Sequence, residues 1–230
     1  MRNRMSLTNL DANYQLSVFS GFLQSETNWL FQYLKPPIEV LFIPFAYNGT
    51  LYNSYIQEVK SMFLKWGITL KLITEGTPKT LIEEARGFVI GGGDLEHLLT
   101  GIYSYMSTLR AALASGKPCL AWNEGSVGVS PSYVTPPMIP VSSKCIAATK
   151  YQLYTHYIDN PSNRLEIKNF LLNHKNDVPP ILEVGCMIDS AGGSGIRLED
   201  DNVGLVYSEP VPPAPTLRFT LNNIDELKLL

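Results

Sequence analysis

The amino-acid sequence predicts a doubly wound α/β fold, a mostly parallel sheet with helices on both faces, followed by short antiparallel strands near the C-terminal end. Three observations carry that expectation. Residues 38–43, Ile-Glu-Val-Leu-Phe-Ile, form a nearly unbroken apolar run stopped by Pro44, as suits a strand covered on both sides. Strand-like and helix-period segments alternate from residue 15 to residue 130, which implies right-handed crossovers back to one sheet. Two of the strands run straight into glycine-bearing turns, Gly91-Gly92-Gly93-Asp94 and Asn123-Glu124-Gly125.

The elements follow in order. Residues 15–19 read as a first strand and 26–34 as a helix, which Pro36-Pro37 cannot continue. After strand 38–43, residues 55–66 set Ile56, Val59, Met62 and Phe63 on one helical face, with Gly67 as the stop. Residues 68–73 form the next strand, 78–85 a short helix and 87–90 another strand. Residues 95–114 read as one or two helices with a break near Gly101, and 117–122 as the strand leading into Asn123. In the last third, Pro136, Pro137 and Pro140 interrupt the pattern, 164–173 is a helix, and apolar stretches at 181–184, 203–207 and 216–219 suggest strands in a more antiparallel arrangement.

With 230 residues and 45% hydrophobic content, a single domain over 1–230 is expected to bury its own core. The 18 Lys and Arg against 21 Asp and Glu give a formal charge of −3 with no block of like charge, which argues against a nucleic-acid partner. Apolar runs fall well short of the ~20 residues a membrane-crossing helix needs, and the first ten residues lack the pattern of a secretory signal, so a cytoplasmic location is expected. Cys119, Cys145 and Cys186 are too few and too widely spaced for a disulfide framework and are expected to be free and mostly buried.

Ligands of open parallel sheets sit beyond the carboxyl ends of the strands, which directs attention to the two glycine-bearing turns. The run Cys119-Leu120-Ala121-Trp122 into Asn123-Glu124-Gly125-Ser126 has the layout of a nucleophile elbow, with Gly125 as the small residue two positions after the exposed one. Gly92 and Gly93 supply backbone amides that can join the amide of residue 124 in holding an oxyanion. No Lys-Ser or Lys-Thr follows the triple glycine, so a nucleotide-phosphate loop is a weak reading.

Phe42-Ile-Pro-Phe-Ala-Tyr47, Phe88-Val-Ile-Gly-Gly-Gly-Asp-Leu-Glu-His-Leu-Leu99 and Pro118-Cys-Leu-Ala-Trp-Asn-Glu-Gly-Ser126, in that order and at those separations, resemble the dipeptidase E (aspartyl dipeptidase, peptidase E) family over roughly residues 38–207. The resemblance implies a class I glutamine amidotransferase-like fold and a serine peptidase site whose elbow reads Ser-Ala-Gly. It places the nucleophile at Asn123, the alanine at Glu124, the catalytic histidine at His156 and, if the alignment admits a gap, the supporting acid at Asp189. The other segment where the family keeps an acid, Val134-Thr135-Pro136-Pro137-Met138, has no carboxylate here. A homodimer is plausible by the same resemblance.

An asparagine amide has no oxygen that a histidine can deprotonate into a useful nucleophile. A catalytically degenerate protein retaining a pocket for a small peptide or amino-acid-like ligand is therefore the first expectation. The alternative is an active hydrolase of small peptides or amides, using Ser126 or a water activated by His156 and Glu124. Ser126 lies one helical turn beyond the elbow position and is otherwise expected to cap the helix starting there. Glu124 is expected to oppose a developing negative charge and suits an amine or cation instead. His97 reads as surface, structural or pocket-lining, and His174 as a partner of a helix end. No His, Cys, Asp or Glu set has metal-ligand spacing, so neither metal nor cofactor is expected.

Overall fold

The protein is described from a computed structural model, which covers residues 15–19, 34–36, 38–47, 49–135, 139–149, 151–177, 180–188, 194–199, 203–208 and 217–220. Its main sheet contains β1 (Gln15–Phe19), β2 (Ile38–Ile43), β3 (Ile68–Leu72), β4 (Phe88–Ile90), β5 (Pro118–Trp122), β10 (Ser194–Glu199) and β11 (Val203–Ser208). Among the described residues the order is β11-β10-β1-β5-β4-β2-β3. The five strands from β1 to β3 in that order pair in parallel, whereas β10 runs antiparallel to β1 and β11 antiparallel to β10.

Both faces of the parallel sheet are covered, as the unbroken apolar strands require. Leu41, Ile43, Phe88, Ile90, Cys119 and Ala121 point into one core, shared with Leu98 and Ile102 of α3 (Leu95–Ile102) and Leu109 and Leu113 of α4 (Met106–Ala114). The alternate residues Val40, Phe42, Val89, Leu120 and Trp122 point into the other, packed on Ile56, Val59 and Phe63 of α1 (Tyr52–Lys65). Residues two apart share a face of a strand, so one apolar run feeds both cores. The doubly wound expectation is met.

Several boundaries shift for local reasons. Helix α1 starts three residues earlier than the 55–66 reading and stops before Gly67, whose φ of +75° only glycine adopts easily. The short helix between β3 and β4 is α2 (Lys79–Glu84). The expected break within 95–114 falls at a 3-10 turn, Tyr103–Tyr105, where Tyr105 Oη donates to the Thr74 carbonyl at 3.2 Å. The helix expected over 26–34 lies, but for its last residue, outside the described residues.

The C-terminal third holds the hairpin of β6 (Ser132–Thr135) with β7 (Ile139–Lys144), and a small sheet ordered β12-β9-β8, made of β8 (Gln152–Tyr157), β9 (Glu183–Ile188) and β12 (Leu217–Thr220). Strands β9, β11 and β12 match expected stretches with shifted limits, but β6, β7, β8 and β10 carry no sequence signal strong enough to single them out. Each of the three expected strands pairs antiparallel with a neighbour, β9 with β12 and β11 with β10, and β9 also pairs in parallel with β8. Helix α6 (Pro161–His174) covers this small sheet with Ile167, Phe170 and Leu171.

Strand β8 is tied to α6 through Asp159. Its carboxylate accepts from Arg164 Nε at 2.6 Å, pairs with the other Arg164 nitrogen, and accepts from Tyr157 Oη at 3.1 Å. The Arg164 hydrogen bond, ahead of the Tyr157 bond, holds the Asp159 carboxyl below the usual carboxylate range. A depressed folded-state value means stability that is present above the ordinary aspartate value of about 3.9 and is lost as pH falls through the folded-state value. Asp159→Asn is expected to lower the melting temperature at pH 7 modestly, as befits a partly exposed pair, and the gap from wild type is expected to narrow steadily as pH falls below the ordinary aspartate value and through the folded-state one. Thermal unfolding followed by circular dichroism across that pH range measures it; an unchanged gap at low pH contradicts the assignment.

Candidate functional site

The site begins where β5 ends. Asn123 leaves the strand with φ +50° and ψ −125° and opens α5 (Glu124–Gly128). A side chain held there costs about 1–3 kcal/mol of backbone strain, which the surroundings must offset. They do so through the main chain: Asn123 N donates to the Phe19 carbonyl at 2.9 Å, and Asn123 O accepts from Ser126 N at 2.9 Å. The turn also needs Gly125, because a Cβ at that position lies 2.6 Å from the Ile90 carbonyl oxygen. The helix thus sits almost on the end of β4.

The triple-glycine loop after β4 closes over the same turn. A Cβ on Gly92 lies 2.5 Å from Asn123 Cβ, so only glycine lets the two segments touch. At Gly93, φ is +146° and the backbone N–H donates to Glu124 Oε2 at 2.8 Å. Gly91 faces Tyr55, whose hydroxyl oxygen lies 2.5 Å from where a Cβ would stand. Gly92, Gly93, Asn123, Glu124 and Gly125 are therefore brought together.

Two buried side-chain oxygens at this junction, Asn123 Oδ1 and Tyr55 Oη, complete no hydrogen bond among the described residues. Burial pushes the Tyr55 phenol well above its ordinary value; the nearby Trp122 side chain favours the ionised form and the Glu124 charge opposes it. Tyr55 stacks on Tyr47 with ring centroids 4.6 Å apart, so an aromatic pair stands beside the glycine loop. No sequence motif marks Tyr55 for this place. Its hydroxyl's place over Gly91 is set by the packing of α1 on the sheet, which no local motif signals.

Ser126 requires a correction. It neither caps α5, which Asn123 opens, nor offers its hydroxyl for attack. The residue is fully buried, and its Oγ donates to the Phe19 carbonyl at 2.9 Å while accepting from Phe19 N at 3.1 Å. The hydroxyl bridges β1 and α5, with its proton committed to a carbonyl.

His156 lies on β8, exposed, at φ +56°, where the pairing of β8 with β9 shifts register between Tyr154 and Tyr157. Strand β8 packs against α5, and Leu153 N donates to Ser130 Oγ at 3.1 Å. The far end of α5 is held by residues 146–148: Ile146 N donates to Gly128 O, Ala147 N to Ser130 O and Ala148 N to Val129 O, at 2.9–3.0 Å. Arg110 of α4 secures that segment by donating to the Ile146 and Cys145 carbonyls. Ala147, at φ +52°, joins Asn123 and His156 as the non-glycine residues with positive φ among those described. All three flank α5. Asp189 lies outside the described residues.

The remaining histidines and the cysteines take other partners or are buried. Asp94 caps α3 by accepting from His97 N at 2.9 Å, a bond that holds its carboxyl below the usual range, and the His97 ring rests 3.3 Å from the same carboxylate. His174 pairs with Asp177 at 2.6 Å and lies against Phe170. Cys119, Cys145 and Cys186 are free and buried, and burial raises all three thiols, Cys145 to about 12. Among the described residues no group of three His, Cys, Asp or Glu side chains could hold a metal ion, and no helix is long and apolar enough to cross a membrane.

The Ser126 bridge makes a prediction that separates a structural hydroxyl from a chemical one. Ser126→Ala leaves the Phe19 N–H and C=O buried without this partner and is expected to cost about 1–3 kcal/mol of stability. Chemical denaturation of the purified variant measures it, and a variant as stable as wild type contradicts the bridge.

With this geometry in hand, comparison with known proteins places the chain. The sequence profile of peptidase family S51 matches residues 20–197. Peptidase E of Shewanella amazonensis is 29% identical over 126 residues, 52% of this chain and 54% of that protein, so the match spans about half of that relative's length. Peptidase E of Shewanella baltica (strain OS185) is 27% identical over 179 residues, 74% of each chain. In fold, the chain is similar to a putative peptidase E protein from Listeria monocytogenes EGD-e, with a TM-score of 0.59 and 14% identity over 86% of this chain and 100% of that one. It is also similar to a peptidase from an acI-B1 actinobacterium, with a TM-score of 0.61 and 10% identity over 91% of this chain and 95% of that one. The family match covers most of the sequence, including both glycine-bearing turns and His156, and on that ground the chain belongs to peptidase family S51.

Proposed function

We propose that this protein is a family S51 member that keeps a pocket for a small peptide or amino-acid-like ligand and has lost serine acyl-transfer chemistry. Asn123 carries the reading: the strained strand-to-helix turn that suits a nucleophile elbow is present, with an amide where the resemblance implies a hydroxyl. A nucleophile's absence leaves only binding and oxyanion contributions, a residual ~10³ to 10⁴ over water. Glu124 supports the same conclusion. Its carboxylate already accepts from the Gly93 amide, a donor the proposal assigns to the oxyanion hole, so negative charge occupies the place where negative charge has to develop.

The relatives named peptidase E supply the substrate class to test. Wild-type protein is expected to show no turnover of Asp-X dipeptides and no labelling by serine-directed phosphonates; measurable turnover by the purified protein overturns the proposal. Asn123→Ser alone is expected to remain nearly inactive, because the Glu124 carboxylate stays on the Gly93 amide. The double variant Asn123→Ser with Glu124→Ala is expected to exceed it by about 10²- to 10³-fold in kcat, the usual effect of one oxyanion donor. Equal rates for the single and double variants deny Glu124 that blocking role.

A further inference from the structure

We propose that the junction of the glycine loop with the turn after β5 is a binding site for a primary ammonium group, with Glu124 as its counter-ion. The inference rests on the reading of this junction as a retained ligand pocket and names the ligand chemistry it accepts. Three successive glycines each carry one oxygen-bearing side chain. Tyr55 Oη stands over Gly91, Asn123 packs on Gly92, and Glu124 accepts from Gly93 N. Only glycines permit such close approach, so the three side chains converge on one short piece of backbone.

Those oxygens form a set of acceptors short of donors. Glu124 Oε2 takes the Gly93 proton, and the carboxylate has no cationic partner among the described residues. Asn123 Oδ1 is buried without a hydrogen-bond partner, and Tyr55 Oη, approached by the Trp122 side chain, completes no bond of good geometry, so both oxygens can still take a donor. An ammonium group brings three N–H donors and one positive charge, which matches three acceptors and one negative charge. A carboxylate or phosphonate brings acceptors only and meets the Glu124 charge head-on. A metal ion lacks the ligands it needs, since Glu124 belongs to no group of three His, Cys, Asp or Glu among the described residues. The stacked Tyr47–Tyr55 pair adds aromatic surface beside the loop, a favourable neighbour for an organic cation. Asn123 Oδ1 and Tyr55 Oη are covered by neighbouring atoms, so Glu124 is the first contact and a side-chain rotation admits the amine to the other two.

The test titrates ethylammonium chloride into 15N-labelled protein at pH 7 and follows the amide resonances of Gly91, Gly92, Gly93, Asn123 and Glu124. Sodium propionate, a similar-sized anion, and tetramethylammonium, a cation without N–H donors, serve as comparisons. Saturable shifts are expected with ethylammonium, with at least tenfold weaker apparent affinity for tetramethylammonium and no saturation with propionate. Glu124→Gln keeps an acceptor for the Gly93 amide and removes the charge, and is expected to weaken ethylammonium binding at least tenfold. Tyr55→Phe keeps the ring stack and is expected to weaken it severalfold. Absence of saturable shifts in wild type, equal affinity in Glu124→Gln, or propionate binding as tightly as ethylammonium overturns the inference. None of these readings involves turnover, so peptidase activity in wild type sinks the proposed function without deciding this result, and a failed titration leaves the activity question standing.

Discussion

The close seating of α5 on the ends of β1 and β4 is the constraint on which the rest of the site depends. Gly125 lets the helix backbone approach the Ile90 carbonyl, and the buried Ser126 hydroxyl closes the gap to β1 with two hydrogen bonds to Phe19. Both groups on Phe19 are buried main-chain atoms, and the Ser126 hydroxyl meets each of them, sharing the carbonyl with Asn123 N. With α5 held at this depth, Asn123 has to turn through a positive φ to connect strand and helix, and its side chain is driven onto Gly92.

Strain is arranged around that helix in a consistent way. Asn123 enters it, Ala147 lies in the segment bonded to its exit, and His156 sits on the strand packed along it. Positive φ at a non-glycine residue persists only where neighbouring contacts outweigh its cost. Here those contacts are the backbone bonds from residues 146–148 to 128–130 and the Arg110 anchor behind them. The strained turn entering the helix carries an amide side chain at its apex.

The proposed loss of acyl-transfer chemistry turns on the electrostatics of the junction. An oxyanion hole works by holding bare donors ready for a charge that appears only during reaction. In this chain the Glu124 side chain accepts from the Gly93 amide, and the side-chain oxygens of Asn123 and Tyr55 lie beside the same loop. On the reading proposed above, the Glu124 carboxylate on Gly93 N disfavours an anion at this loop.

Much of this protein was legible in its sequence. The apolar run at 38–43 and the alternation of periods determined a doubly wound sheet, because a parallel strand buried on both faces cannot carry polar residues at every second position. The spacing of Asn123, Gly125 and the Gly91–Gly93 run marked the junction, since close backbone approach and positive φ select glycine or asparagine directly. The short strands after residue 130 were not legible in the same way, because β8 is set by pairing with β9 and by packing on α5, and its sequence has no clean alternation. Tertiary structure alone decided that Ser126 ties its helix to β1 rather than offering its hydroxyl, that Glu124 meets Gly93, and that Tyr55 reaches Gly91. Each of those contacts joins residues at least 31 positions apart, and a local pattern encodes how a segment folds while carrying no information about which distant atom its side chain will meet.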